Sequence, residues 1–492
     1  MTDHGNAVWL GVDIGTQGVR AVAIDDDGGV RGVGQRPLDS VRHGGRHEQD
    51  PESWWTAGSA AIAEATASLG GRRVRALSVA ATSGTIVVVD RHLRPLTPGI
   101  MYDDLRAADL LPVAQRSGEE VWARSGYRMQ PSWALLKIVW LHRQGLLPAG
   151  ATVLHQGDFV LSRLAGRPLP TDTSTALKAG VDLVAADWSP SVLARLGVPA
   201  ETLPTVVLPG AVLAEVAPSV DSALRLGSGC VLVSGMTDGC SAQIAAGAVE
   251  EGQWNTAMGT TMVVKGVSAD LIADDAGAVY SHRGPFGYGW YAGGASSSGA
   301  RAFQHWLPGD SLDAVARSAA LRRDPPLVYP LVGAGERFPF VNRDATAMFE
   351  PGFEAAGAAE RFAGIAHGIA YLERLAYERL SGLGFRIDDP ITFTGGGTRT
   401  AWWNQLRSDV LGRSVRLRSN TEGATGMAVL AAAAVGRSDP PSRRLPVAAS
   451  RLLDAGSTIE PRPDQAERHE HAYRRFLSML ERAGYLDPGG RP

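Results

Sequence analysis

The sequence predicts an α/β protein built as two related domains around a central cleft, and three observations carry that prediction. The first is an internal repeat: Val12-Asp13-Ile14-Gly15-Thr16-Gln17-Gly18-Val19-Arg20-Ala21-Val22 returns as Thr256-Ala257-Met258-Gly259-Thr260-Thr261-Met262-Val263-Val264-Lys265-Gly266, with each Gly-Thr pair between β-rich apolar runs. The second is length, since 492 residues exceed what one hydrophobic core organises, and two domains of roughly 200 to 250 residues are expected. The third is that short apolar runs alternate with longer stretches at helical spacing in both halves. The repeat places the boundaries at 1–248 for an N-terminal domain, 249–436 for a C-terminal domain, and 437–492 for an extension that ends in a docking helix.

The elements follow in order. Trp9 to Ile24 reads as a hairpin around Gly15, Asp25-Asp26-Asp27-Gly28-Gly29 as the next turn, and a third strand is expected after it. Gln49 to Trp55 starts a helix, with carboxylates at its positive end and a periodic Ala/Ile stretch behind. Ala76–Ala81 and Ile86–Val89 are strands joined by the small polar turn Thr82-Ser83-Gly84-Thr85. Helices are expected over 133–147 and Phe159–Leu164, with Asp158 in the loop before the second. The strand Val231–Ser234 ends in Gly235-Met236-Thr237-Asp238-Gly239, and a helix Ser241–Val249 follows. In the second half the helix Ala363–Leu380, the strand Ile391–Thr394 and the helix Trp402–Leu411 form the core, 436–460 is a surface connection, and a tail helix from Asp464 docks through Tyr473, Phe476, Leu477 and Leu480.

Composition excludes several function classes. Apolar residues at 44%, charged residues at 20% and a net charge of -3 describe an ordinary globular chain with no basic field for nucleic acid. Cys230 and Cys240 are too few for a disulfide framework and read as buried thiols in a reducing compartment. With no apolar run of membrane-spanning length and no basic-then-apolar N-terminus, a cytoplasmic location and no membrane partner are expected. Lys occurs only at 137, 178 and 265, the other basic residues being Arg, which reads as a mark of a GC-rich genome. No Gly-Lys dipeptide exists, so a Walker-type P-loop is excluded. His469-Glu470-His471 lacks the spacing of a zinc site, and Gly11 to Gly15 leads into a strand, not the helix that a dinucleotide fingerprint needs.

The chemistry gathers in the turns. A Gly-Thr tip offers unpaired backbone N–H groups and a hydroxyl with no Cβ to hold an anion away, so two facing tips suit a polyphosphate. A strand, a Gly-Thr turn and a strand in each half are the sequence sign of the actin-like ATPase (ribonuclease H-like) architecture, in which ATP lies between two related domains. Gly15-Thr16, Gly235-Met236-Thr237-Asp238, Gly259-Thr260-Thr261, Gly335-Glu336-Arg337-Phe338-Pro339 and Gly395-Gly396-Gly397 occur in the order and approximate spacing of the FGGY family of carbohydrate kinases, which the chain resembles over nearly its whole length. Gln49 to Trp55, Lys137 with Trp140, Asp158, Trp403-Asn404-Gln405 and Asp409-Val410-Leu411-Gly412 support the match.

The resemblance implies an ATP- and Mg²⁺-dependent transfer of a phosphoryl group to a sugar hydroxyl, a reaction that needs positioning, charge neutralisation and a base. Asp238 is the expected base, ionised at neutral pH with an ordinary pKa of about 3.9. Asp13, two residues before the first tip, is the expected Mg²⁺ ligand. Nucleotide contacts are expected from Gly15, Thr16, Gln17, Gly259, Thr260, Thr261, Gly299, Gly396, Gly397 and Thr400, with the three glycines as the adenosine loop. Sugar contacts are expected from Thr82, Ser83, Gly84, Asp104 and Asp238. Glu336-Arg337 reads as a structural ion pair, and His367, standing where many relatives have Glu, as structural. Xylulose kinases usually carry Gln-Met-His where this chain has Thr82-Ser83-Gly84. That turn, with Met101-Tyr102-Asp103-Asp104, Leu154-His155-Gln156, Thr175-Ala176-Leu177-Lys178, Tyr280-Ser281-His282-Arg283 and Gly294-Ala295-Ser296, resembles the D-ribulose kinase branch of cyanobacteria and plants. A ketopentose is therefore the expected small-molecule partner and a homodimer the expected assembly. D-xylulose or another polyol is the alternative within the class, and a non-catalytic actin-like nucleotide-binding protein is the alternative outside it, since the scaffold alone does not decide.

Overall fold

The computed structural model describes the chain except residues 1–6, 309–314, 316–317, 319–323, 437–438 and 488–492. Ala7–Ile14 is apolar almost throughout and becomes a central strand buried on both faces, antiparallel to Gly18–Asp25 and parallel to Arg73–Ala81. The first sheet runs 212–215, 231–233, 73–81, 7–14, 18–25, 30–37. The second repeats that order as 457–459, 415–417, 391–394, 254–258, 262–268, 290–295, and adds 280–283 at the edge. Each central strand thus has a hairpin partner on one side and a parallel partner on the other. The duplication signalled by two Gly-Thr turns extends to both whole sheets.

Helices cover these sheets where small residues permit close approach. Pro51–Thr66 starts at Asp50, whose carboxylate accepts the Glu52 N–H at 3.0 Å, with Pro51 in the first turn where its missing donor costs nothing. It lies on the strand Val30–Pro37, and a Cβ added at Gly32 or Gly34 would come within 1.9 or 2.0 Å of the Ala65 or Ala61 carbonyl oxygen. Gly423–Val435, buried almost all round, lies across Ala7–Ile14 so closely that a Cβ at Gly11 would fall 1.8 Å from the Ala424 oxygen. The N-terminal half also carries a second sheet, 41–43, 46–49, 99–100, 86–89, 152–155, roofed by helices that include Ala134–Arg143. Cys230 and Cys240 are buried free thiols. Among the described residues no helix is long and apolar enough to cross a membrane.

Several expected elements differ in extent. The helix expected over 133–147 stops at Arg143, because Gly145 takes a left-handed φ of 69°. Asp158 is not in a loop: the helix spans Gln156–Ala165, with Asp158 in its first turn accepting the His155 backbone N–H at 3.4 Å. The helix expected over Ser241–Val249 spans Asp238–Ala245 and gives way at Gly247, φ 75°. The segment 436–460 is not a surface connection. Outside positions 437–438, which lie beyond the described residues, it forms the helix Pro441–Leu452 and the strand Ser457–Ile459. That helix buries Leu445, Ala448, Ala449 and Leu452 in a cluster shared with Trp9 and Ile24 of the first sheet. Its Pro441 is a helix-starting residue. The tail helix, Ala466–Arg482, buries Tyr473, Phe476 and Leu480 against the second half, as its spacing predicts.

Candidate active site

Parallel pairing decides which loops meet. The strands 7–14, 73–81 and 231–233 run in one direction, so Gly15–Gln17, Thr82–Thr85 and Gly235–Asp238 emerge at one edge, and a bridge between Ala81 and Thr237 ties the last two. In the second half 254–258 and 391–394 are likewise parallel, bringing Gly259–Thr261 beside Gly395–Gly397. Open α/β sheets bind ligands beyond the carboxyl ends of their strands, and every expected nucleotide residue is found there or in a loop packed on it.

The first tip closes with Gly15 N–H donating to the Gly18 oxygen at 2.9 Å. Gln49 holds it from behind, donating to the Thr16 oxygen at 2.7 Å while accepting from Trp54 at 2.7 Å, and the Tyr102 hydroxyl bonds the Thr16 side chain. Gln17 is exposed and its carbonyl accepts the Leu38 N–H at 3.0 Å. The second tip closes with Gly259 N–H to the Thr261 oxygen at 3.1 Å, leaving Gly259 and Thr260 exposed. Gly299 abuts it: Ala300 N–H donates to the Gly259 oxygen at 2.9 Å, and a Cβ at Gly299 would sit 2.5 Å from the Thr261 Cα. Gly395 has φ 83°, and the loop is pinned by Thr398 Oγ1 to the Gly395 oxygen at 2.8 Å and Asn404 to the Thr398 oxygen at 2.7 Å. A Cβ built on Gly396 would meet nothing within 4 Å, so that face is open to a flat group. Thr400 precedes the helix Ala401–Leu411.

Two carboxylates dominate the cleft. Asp238 opens the helix Asp238–Ala245 and accepts the Gly239 N–H at 2.8 Å. Solvent reaches it along the cleft, yet protein surrounds it, and this burial raises its pKa while Lys178 and Lys265 pull it back. Asp13 is pushed up to about 7 by burial, with Asp238 and Glu422 adding and Arg20 opposing. Its Oδ1 is buried without a hydrogen-bond partner, and Gly423 lies so close that a Cβ there would fall 2.5 Å from Oδ2. Glu422 is itself paired with Arg20. A carboxylate oxygen so placed, in a surplus of negative charge, fits a divalent cation. Mg²⁺ commonly takes one or two protein carboxylates and completes its shell with phosphates and water. Among the described residues no three His, Cys, Asp or Glu side chains form a full cage.

The sugar-side loop is held by its own network. Thr82 Oγ1 lies 2.6 Å from Thr85 Oγ1 and 2.8 Å from Gln156 Oε1, whereas Ser83 Oγ is buried without a partner. Gly84 takes φ 94°, and its oxygen accepts from Lys137 at 3.0 Å. Lys178 donates to the Ser83 oxygen at 3.1 Å. Asp104 is brought near but is committed elsewhere: fully buried, it accepts the His47 N–H at 2.6 Å and Arg106 at 2.7 and 2.8 Å. Glu336 and Arg337 are not an ion pair. Buried Glu336 instead accepts from Ser297 N–H at 2.6 Å, Tyr329 at 2.9 Å and Ser296 at 3.1 Å, fixing the loop that supports the second tip. His367 is buried, its Nδ1 donating to the Ala363 oxygen at 2.8 Å. The sequence placed Tyr102 and Lys178 only within longer stretches that resemble the D-ribulose kinase branch, and gave neither of them, nor Lys265, a role of its own. The available signal for the lysines was their rarity. Cavities of about 580 and 570 Å³ lie beside the tail helix and away from both tips.

Comparisons agree with this geometry. The model of the N-terminal domain of the FGGY family of carbohydrate kinases matches residues 8–245, and that of its C-terminal domain residues 254–435. The chain is 26% identical over 435 residues to a xylulose kinase of Klebsiella pneumoniae, covering 86% of this chain and 89% of that one. It is 24% identical over 490 residues to a xylulose kinase of Escherichia coli K12, covering 96% and 100%. The crystal structure of a xylulose kinase from Rhodospirillum rubrum superposes with a TM-score of 0.84 at 24% identity, covering 96% and 98%. Matched by both domain models of the family and built on one sheet used twice, the chain belongs to the FGGY family of carbohydrate kinases and is a sugar phosphotransferase with ATP as phosphate donor.

Proposed function

We propose that the protein phosphorylates a ketopentose, D-ribulose in preference to D-xylulose, with Asp238 as base and Mg²⁺ held at Asp13. The observation that supports the reading most is the neighbourhood of Asp238: a carboxylate at the cleft, coupled to Lys178, which in turn holds Ser83 of the expected sugar loop. Asp238 takes the proton of the attacking hydroxyl; burial raises its pKa, and two neighbouring cations pull it back. Asp13 offers the orphaned oxygen to the cation, which when bound neutralises phosphate charge. Gly15 and Gly259, whose own N–H groups close the turns, carry no Cβ to hold a phosphate away from the tips, and Ser83 Oγ is a polar atom awaiting a hydroxyl. Domain closure over the sugar excludes water and suppresses idle ATP hydrolysis.

D-Ribulose is favoured by the Thr82-Ser83-Gly84 turn, which carries no His where xylulose kinases usually have Gln-Met-His. The second reading, D-xylulose, is favoured by the names of the relatives. Turnover with ATP and Mg²⁺ across D-ribulose, D-xylulose, glycerol and sugar alcohols separates them, and D-ribulose failing to give the highest kcat/KM defeats the preference. Asp238→Asn should abolish sugar phosphorylation with ATP binding intact; near-normal turnover in that variant removes Asp238 as base.

A further inference from the structure

All three lysines of the chain converge on this cleft, although every other basic residue is Arg. Lys137 supports the sugar loop through the Gly84 and Met101 oxygens, at 3.0 and 2.6 Å. Lys178 comes from the first half and Lys265 from the strand Met262–Ser268 of the second. Both act on Asp238: Lys178 Nζ is on the Ser83 oxygen at 3.1 Å, and the Lys265 side chain lies where a Cβ on Gly239 would come within 3.1 Å of its Cε. Lys265 is 7% exposed as a residue, and its ammonium makes no hydrogen bond to a described residue, so it is left to the cleft. A mostly buried side chain that ends in an ammonium without a protein acceptor is suited to an anion there. Burial holds the Lys178 pKa down to about 8, with Arg337 and Lys265 adding and Asp238 opposing. Two ammonium groups, one from each half, thus act on Asp238. A phosphoryl group passing beside that carboxylate is the anion they suit, and Lys presents it with a compact point charge.

We propose that Lys178 and Lys265, one from each half, clamp the γ-phosphoryl group of ATP and act as catalytic cations of its transfer. The proposal rests on the kinase reading above. In the step, the sugar oxygen bonds to phosphorus as the bond from phosphorus to the bridging oxygen of ADP breaks. The electron pair of that bond leaves with ADP, and the hydroxyl proton passes to Asp238. The ammonium groups neutralise charge on the non-bridging oxygens, and because they come from opposite halves the clamp is complete only when the halves close.

The test uses the full chain with Lys178→Met and Lys265→Met, which keep side-chain length and lose charge, and with Lys265→Arg. Calorimetry measures the affinities for ATP and ADP, and steady-state kinetics measures kcat and the sugar KM. Each Met variant should lose about 10²- to 10³-fold in kcat, the scale of removing one charge-stabilising donor. The sugar KM of Lys265→Met should stay within about threefold, that of Lys178→Met rising further because Ser83 loses its tie, and in both ATP affinity should fall about tenfold with ADP affinity unchanged, while Lys265→Arg recovers the preference for ATP. Equal weakening of ATP and ADP, a loss confined to sugar KM, or unchanged kcat overturns the clamp. Should one Met variant fail to fold, the other carries the same test. Wild-type protein without sugar-dependent ADP release defeats the kinase reading itself, whereas normal wild-type turnover with unaffected Met variants defeats the clamp alone.

Discussion

Acid should loosen the tail helix through two histidines. His367, on the long helix Ala358–Gly382, faces His469 of the tail helix with ring centroids 5.8 Å apart, and both are buried, 4% and 1% exposed. Burial holds their pKa values down to about 3 and about 4, with Arg468 adding to both. His367 Nε2 and His469 Nδ1 have no partner that would reward a proton. The cavity around them, about 120 Å³, is lined by Arg468 and Arg475 as well as by Asp324 and Glu350. The unfolded chain takes up these protons near pH 6.5 and the folded one only near 3 to 4, so stability is present above 6.5 and is lost as pH falls below it. Each histidine contributes about 1.4 kcal/mol per pH unit, so going from pH 7.5 to 5.0 costs about 2 kcal/mol per histidine and about 4 kcal/mol for the pair. For a domain of this size that is a fall in Tm of about 10 °C. Melting curves of wild type and of the His367→Phe, His469→Phe double variant at both pH values test it, because other titrating groups act equally in the two proteins. The double variant should lose about 4 kcal/mol less than wild type between the two pH values. Equal losses refute the reasoning.

Two further substitutions probe parts that sequence alone did not rank. Gly299→Ala places a Cβ 2.5 Å from the Thr261 Cα, so the second tip must shift; the KM for ATP should rise about tenfold while the sugar KM holds, read from saturation curves for each substrate. Arg407 and Glu373 form a fully buried pair with bonds of 2.6 and 2.7 Å, so Glu373→Gln should destabilise the second half by about 3 to 5 kcal/mol, measured by urea unfolding.

What the sequence made legible was local. Gly15 and Gly259 sit at hairpin tips because a turn is set by its own few residues, and the repeat extended that reading to the flanking strands. The helix Pro441–Leu452 was hidden because a Pro pair reads as a break, although Pro441 occupies the first turn that tolerates it and Pro446 is carried inside the helix. Charge pairing was the least legible. Glu336 and its neighbour Arg337 suggest a pair, but Glu336 is claimed by the loop 296–298 and Tyr329, which only the tertiary fold brings within reach. Asp104 looked available because its captors, Arg106 and the His47 N–H, act from a neighbouring turn and a distant strand. Lys265 was unreadable for the same reason: the carboxylate it faces belongs to the other half.

The path of the chain between the halves says how closure is organised. Among the described residues it crosses three times: at 246–253, at 418–422, and at 453–456, since Gly423–Leu452 packs on the first sheet while Ser457–Ile459 rejoins the second. These crossings touch one another. A Cβ at Gly247 would lie 3.0 Å from the Arg418 guanidinium and one at Gly456 would lie 2.4 Å from the Leu417 oxygen, while Asp454 accepts from Ser419 N–H at 3.1 Å and Oγ at 2.8 Å. Gly247, Gly252 and Gly456 take φ of 75°, 84° and 72°, values that favour glycine, so each crossing segment that contains them turns where side chains would resist. Three crossings bound into one joint restrict relative motion to rotation about it. Glu422 stands at the end of the middle crossing, paired with Arg20 on the hairpin of the first tip and one residue from the Gly423 that presses on Asp13. A rotation at the joint would therefore act on Asp13 as directly as on the distance between Lys178 and Lys265.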